Sequence, residues 1–306
     1  MAQSTTTGRI EHLELHNSSI TSVGGNLNTY NVTYTYTTTN GSSSTIPSLP
    51  LIDCPFDLLS PNFTGREHEL VHLKRIILGA IRNDVPIRCI VYGMHGIGKT
   101  QLILRFLALE RQPFSMVFWI SASTIEKVNQ GYSGLLTLLN HPDRFHVDQA
   151  ARLTAARLWL EKATSVRWVL VFDNVEPETV DFLREHLPRK NRRGRIIFTT
   201  RMESVATALA NAGGQVHDSF ELRAPNVGDA SRLLFKYIDG DRGVEARVRE
   251  AADVVRCVGC LPLAVAQAGS YMKKYGMSLQ AMRHLYQSQQ KMKVNCHLRS
   301  SMCMDR

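Results

Sequence analysis

The chain has 306 residues, 43% of them hydrophobic and 21% charged, with a formal net charge of +9 and a pI near 9.4. These values describe a globular chain with a substantial core and exclude one too polar to fold around apolar residues. No run of about 18 apolar residues occurs, so neither a transmembrane helix nor a membrane partner is expected. The first residues, MAQSTTTGRIEH, lack the apolar stretch of a secretory signal, and the expected compartment is the cytoplasm.

In chain order, residues 1–55 read as a Thr-, Ser- and Asn-rich tail and linker. Within them Ile20–Tyr36 alternates apolar and polar residues around Gly24-Gly25, with Tyr30, Val32, Tyr34 and Tyr36 on one strand face. A lone hairpin is marginal in water, so this stretch reads either as a flexible tail or as a segment that pairs with copies of itself. Pro47–Pro61 reads as linker. A helix is expected after Phe63-Thr64-Gly65-Arg66-Glu67, with Leu70, Leu73, Ile76, Ile77, Ala80 and Ile81 at helical spacing and a Thr64/Glu67 capping box.

The apolar run Cys89–Tyr92 then leads into Gly93–Thr100, GMHGIGKT. This fits G-x-x-x-x-G-K-[ST], the phosphate-binding loop. Its three glycines let the backbone bend so that successive N–H groups face phosphate oxygens. Lys99 can reach the outer phosphates and Thr100 can offer its hydroxyl to Mg²⁺. Leu102, Phe106 and Leu109 predict a helix that aims its positive end at the same place. Gly93, Gly96, Ile97, Gly98, Lys99, Thr100 and Gln101 are therefore the candidate nucleotide contacts.

Met116–Ile120 reads as a second buried strand, Ile125–Leu139 as a helix, and Gln149–Lys162 as another with Leu153, Ala156, Leu158 and Leu160 near its apolar face. Trp168–Phe172 is a third apolar strand. It delivers Asp173 at its carboxyl end, the pattern of a second Mg²⁺ contact. Glu178–Leu187 reads as a helix and Arg195–Thr199 as a strand ending in Thr200-Arg201. Between them, Arg189–Arg195 is the densest basic run. It has no interleaved aromatics and no groove-reading motif, so it reads as a solvated loop and a nucleic-acid partner is not expected. Alternating strands and helices predict an α/β fold: a parallel sheet with helices on both faces and a ligand crevice at the strand carboxyl ends.

The last third changes character. Phe220-Glu221-Leu222 reads as a short strand, and Asn226–Ile238, Val244–Cys257 and Leu263–Tyr275 as three helices, the first capped by Asn226 or Asp229. Cys257 and Cys260 form a C-x-x-C without a matching second pair, which predicts packed, reduced thiols rather than a zinc site. The tail from 289 to 306 is irregular, and Cys296, His297 and Cys303 within it match no metal pattern.

Taken together, Phe63–Glu67, GMHGIGKT, VLVFDNV, RIIFTTR and CLPLA, in this order, resemble the NB-ARC group of signal-transducing P-loop NTPases, the STAND-class switches of NOD-like receptors, plant resistance proteins and fungal multidomain proteins. The resemblance covers roughly residues 56–288. It implies a P-loop domain (56–224), a helical lid (225–288), a winged helix and a repeat-type sensor, and on that pattern the chain is expected to be truncated after the lid. It further implies that Arg201 senses the γ-phosphate, that Phe63, Gly65 and Arg66 lie beside adenine and ribose, and that Pro262 packs against the base. Lys99, Asp173 and Arg201 are then the catalytic candidates, Thr100 and Asp173 the Mg²⁺ ligands, and ATP or ADP the ligand. Many relatives carry two acids where this chain has Asp173-Asn174, so the expected activity is at most a slow ATPase unless Glu176 substitutes. The implied function is a nucleotide-controlled switch in an immunity- or cell-death-like pathway, acting by self-association or with a full-length relative. The alternatives are an ATPase stimulated by nucleic acid and an assembly adaptor working through the N-terminal segment.

Overall fold

The computed structural model describes residues 49–79, 84–211, 217–238 and 245–288. The strand reading of Ile20–Tyr36, the helix end at Ala80-Ile81, Val244 and the tail from 289 onward lie outside the described residues.

Six strands form one sheet: β1 (Leu51–Asp53), β2 (Ile87–Tyr92), β3 (Met116–Ser121), β4 (Trp168–Val175), β5 (Arg195–Thr200) and β6 (Asp218–Glu221). Their order is β1-β3-β4-β5-β2-β6 and every pairing is parallel. Parallel strands need crossovers, and helices supply them, so both sheet faces are covered and the central strands are largely buried, with apolar middles and polar residues towards their ends. The period of two sorts each strand between two cores. Ile90, Phe118, Leu170 and Ile196 pack on α3 (Ile125–Leu138), α4 (Gln149–Lys162), α5 (Val180–His186) and α6 (Glu203–Ala210). Cys89, Val91, Val169 and Ile197 pack on α1 (Glu67–Leu78) and α2 (Lys99–Glu110). β5 lies between β2 and β4, so the residues after all three emerge along one edge.

Several local expectations are corrected. The stretch read as linker supplies β1, paired from Leu51 to Met116, an edge strand too short to show a period. α1 starts at Glu67, not under a Thr64 cap. Gly65 (φ 70°) and Arg66 (φ 71°) are both left-handed, and no side chain caps the helix; Glu67 and Glu69 in its first turn suit the positive end of the dipole instead. Leu109 is 52% exposed because the buried stripe of α2 centres near Ile103, and Leu158 lies across α4 from Leu153, Ala156 and Leu160. The helix expected from Glu178 begins as a 3₁₀ turn, Pro177–Thr179. α6 was not expected; it is short and alanine-rich.

The basic run is only partly a solvated loop. Arg189, Lys190, Arg192 and Arg193 are exposed, but Asn191 and Arg195 are buried. Asn191 takes φ 108° and donates to the carbonyls of Leu160 (2.8 Å) and Ala163 (3.0 Å). Arg195 donates from Nε to the Ile77 carbonyl (2.5 Å) in the last turn of α1 and from Nη1 to those of Arg192 and Gly194 (2.9 Å each). Burial lowers its pKa to about 10, so it stays charged at neutral pH and serves one loose carbonyl at the end of α1 and two carbonyls in the turn before β5.

After β6 come α7 (Val227–Ile238), α8 (Glu245–Cys257) and α9 (Pro262–Tyr275), and a further helix not expected from the sequence, α10, over 279–288. They close around Ala230, Leu234, Val254, Val265, Met272 and Met282. Cys260 is buried in this core and Cys257 half-buried, both as free thiols. Asn226, rather than Asp229, caps α7, accepting from the Asp229 amide at 2.8 Å. No helix among the described residues is long and apolar enough to cross a membrane.

Replacing Arg195 by Ala takes the guanidinium donor from the Ile77 and Arg192 carbonyls, while that of Gly194 keeps the Ile87 amide (3.2 Å), and leaves a void; the full chain should lose about 2–4 kcal/mol by urea unfolding. Lys190→Ala, in the same basic run but exposed, should stay within about 0.5 kcal/mol of the parent.

Candidate functional site

β2 ends at Tyr92 and α2 begins at Lys99; the six residues between them make a tight loop. At Gly93 (φ 143°) a Cβ would stand 2.5 Å from the Leu222 carbonyl oxygen, because the chain leaving β6 is stitched to Tyr92 through the Leu222 amide (2.7 Å). At Gly96 (φ 76°) a Cβ would stand 3.1 Å from Cβ of Leu263 in the first turn of α9. Lys99 is 9% exposed, and its Nζ donates to the carbonyls of Gly93 (2.7 Å) and Met94 (3.0 Å). Burial lowers the Lys99 pKa; Asp173 opposes that, Arg201 adds to it and Glu176 opposes it, so all three charges act on the ammonium.

The Asp173 carboxylate ties three elements together. Thr100 Oγ1, from α2, donates to it at 3.0 and 3.1 Å, and Thr199 Oγ1, from β5, donates at 2.5 Å. Thr199 in turn accepts from the Asn174 amide (2.8 Å). β4 is irregular between Phe172 and Val175, and Asn174 is left-handed (φ 60°); this break sets Asp173 among its donors. Burial pushes the Asp173 carboxyl up from its ordinary range, against the bonds from Thr199 and Thr100 and the charge of Lys99.

Arg201 follows β5. Its Nη2 donates to Glu176 Oε1 (3.0 Å), which also accepts from Asn174 Nδ2 (3.1 Å). Arg66 is 8% exposed and spans three segments, donating to Glu69 Oε1 (2.7 Å), the Arg223 carbonyl (2.7 Å) and the Ile97 carbonyl in the loop (3.0 Å). Gly65 faces Asp229 of α7, whose Cγ would lie 3.1 Å from an added Cβ. The Phe63 ring lies 5.9 Å from the Arg105 guanidinium, and its carbonyl accepts from Lys236 (3.2 Å). Pro262 opens α9, and the next amide, that of Leu263, donates to the Gly96 carbonyl (3.2 Å).

Gly93, Gly96, Ile97, Gly98, Lys99, Thr100 and Asp173 thus come together, with Arg66 and the start of α9 against the loop. Gln101 is engaged otherwise. Its side-chain amide donates to the Leu58 carbonyl (2.8 Å) and accepts from the Ser60 amide (2.8 Å), so it anchors the turn before Phe63. Thr199, Leu263 and Asp229 were missed as site neighbours. Two threonines closing an apolar strand are a faint signal for the first; the other two are joined to the loop only by the fold.

The donor set fits a polyphosphate with a divalent cation. The loop carries left-handed glycines at its bend, an ammonium lies within it, and a hydroxyl and a carboxylate sit at the start of α2. Mg²⁺ on a nucleotide needs only one or two protein carboxylates, the rest being phosphate oxygens and waters. No cluster of three or more His, Cys, Asp or Glu that could hold a metal occurs among the described residues. The cation, when bound, would neutralise phosphate charge; Thr100 and Asp173 would hold it.

Because the folded state binds the Asp173 proton more tightly than the unfolded chain, stability contributed here declines as pH rises past the ordinary carboxyl value of 3.8. Asp173→Asn keeps an acceptor for both threonines and removes the charge. Its stability relative to the parent should therefore improve between about pH 4 and pH 7, read by denaturant unfolding at each pH without added nucleotide.

The NB-ARC domain family matches residues 72–229, more than half of the chain. Among solved structures, the chain is similar to the Walker-type ATPase paby2304 of Pyrococcus abyssi, with TM-score 0.52 and 12% identity over 81% of this chain and 79% of that one. It is also similar to PCH-2 of C. elegans, with TM-score 0.50 and 12% identity over 79% of this chain and 73% of that one. At such identity these likenesses speak for the fold alone. Comparison with curated proteins finds no match. The phosphate loop, the carboxylate after β4 and the family match over most of the sheet lead to one conclusion: this chain belongs to the NB-ARC family and carries its P-loop nucleotide-binding domain.

Proposed function

We propose that the protein is a cytoplasmic ADP/ATP switch in which the nucleotide state controls closure of the helical segment and, through it, assembly in an immunity- or cell-death-like signalling pathway. The observation that carries this reading is the bond from the Leu263 amide to the Gly96 carbonyl (3.2 Å). One loop then serves two tasks, holding phosphates on its amides and holding the helical segment on a carbonyl. A change in the loop's ligand is therefore felt at α9, the kind of differential contact a two-state equilibrium requires. In this reading the nucleotide-binding unit runs to about residue 224 and includes β1, and 225–288 form the lid.

The residues divide the work. Lys99 and the loop amides hold the phosphates; Thr100 and Asp173 hold Mg²⁺. Phe63, Gly65 and Arg66 flank the nucleoside, and Arg66 pins that segment to the loop through the Ile97 carbonyl. Pro262 closes the base from the lid side. Hydrolysis is slow, because Asn174 cannot accept a proton where relatives carry a second acid.

The purified full chain should release stoichiometric ADP on denaturation, identified by chromatography. Lys99→Ala should release less than about a tenth as much, since it removes a charge-assisted contact to phosphate in a buried loop. Equal nucleotide in both proteins would overturn the site; an empty parent chain that also ignores added nucleotide would overturn the switch.

A further inference from the structure

Glu176 has a fixed place beside the phosphate loop. It follows β4 and precedes the 3₁₀ turn Pro177–Thr179, and its carbonyl accepts from both the amide (3.0 Å) and the hydroxyl (2.8 Å) of Thr179. Thr179 is buried and its hydroxyl also reaches the Ala122 carbonyl (3.1 Å). With the backbone held, the Glu176 carboxylate presents Oε1 to two donors at once, Asn174 Nδ2 and Arg201 Nη2. Arg201 remains 48% exposed, so it can be drawn off by a stronger anion. Both charges lie near enough to act on Lys99.

We propose that Glu176 is a specificity-determining residue: by holding Arg201 in an ion pair beside the phosphate loop, it disfavours a terminal γ-phosphate and biases the site toward nucleoside diphosphates. The inference rests on the nucleotide-switch reading above and names what sets its resting state. A triphosphate brings additional negative charge to the strand ends where Arg201 and Glu176 sit. Engaging Arg201 then breaks the Glu176 pair and leaves two anionic groups facing each other; a diphosphate meets neither cost. Asn174 belongs to the same device. Where an aspartate would repel Glu176, its amide donates to it and steadies the carboxylate under Arg201. This assigns Glu176 a role other than replacing the missing second acid as a base.

The test is calorimetric titration of the full chain with ADP and with the non-hydrolysable β,γ-imido analogue of ATP, each with Mg²⁺. The proteins are the parent, Glu176→Gln, Arg201→Met and the double variant. Glu176→Gln keeps an acceptor for Asn174 and drops the charge. It should tighten the analogue about five- to tenfold, the scale of one charge-assisted hydrogen bond at a half-exposed site, and leave ADP within about twofold. In the Arg201→Met background the same substitution should change the analogue by only about twofold. An unchanged triphosphate-to-diphosphate ratio in Glu176→Gln overturns the proposal, and a lost single-turnover hydrolysis in that case assigns Glu176 as a base. A gain that persists undiminished without Arg201 also overturns it, as a general charge effect. A parent chain that binds neither nucleotide, and behaves like Lys99→Ala, overturns the site reading itself and this proposal with it.

Discussion

The half-buried Asp173 carboxylate is the constraint on which the strand ends are organised. A carboxylate removed from water must be given donors, or it will be protonated or expelled. Here the donors come from two different elements, Thr100 of α2 and Thr199 of β5. Because β5 lies between β2 and β4 in the sheet, satisfying this one charge draws the phosphate loop, the end of β4 and the end of β5 into a single crevice. The break in β4 at Asn174 has its reason here. A strand running straight through Asp173 would follow the alternating pleat, and the left-handed residue after it re-aims the backbone amide at Thr199.

The loop itself is held from outside as much as by its own glycines. The Leu222 amide from the β6 side, the Arg66 guanidinium from the N-terminal side and the Leu263 amide from the helical segment all end on it or on the residue before it. Arg66 illustrates the economy of this arrangement: one buried, planar cation satisfies carbonyls from two distant segments and a carboxylate of its own helix. Such a group rigidifies what it touches, because the buried Ile97 carbonyl would lose this donor without it. The consequence for the proposed switch is that the loop is the shared contact between Arg66, the sheet and the helical segment, so none of them can move without changing a bond at Ile97, Gly96 or Tyr92.

Charge in this protein is less a surface property than its pI suggests. Arg195 and Arg66 are interior, each spent on main-chain carbonyls, and Lys99 is nearly buried in its loop. Counting charges along the chain treats them all as solvated, which is why the basic run 189–195 reads as one feature and is in fact two: exposed residues on a turn, and an internal guanidinium that closes the end of α1.

The sequence by itself determined the α/β class, the parallel sheet, most helix spans and the phosphate loop. Those follow from short-range rules, since apolar runs of strand length, a 3.6-residue period and a glycine pattern with fixed spacing all have local physical causes. Asp173 was legible because a strand delivers it. Tertiary structure alone decided the rest. A three-residue edge strand such as β1 has no period to read, and it becomes a strand only because β3 offers its hydrogen bonds. The left-handed pair Gly65-Arg66 overrides the capping pattern at Thr64 because the guanidinium must reach Ile97 and Arg223. The commitment of Gln101 to the 58–60 turn, of Thr199 to Asp173, and of Arg201 to Glu176 each join residues more than twenty positions apart. No local propensity encodes such pairings; they exist because the strand order brings those chain ends together, and a buried or half-buried polar group then takes the partner the fold supplies.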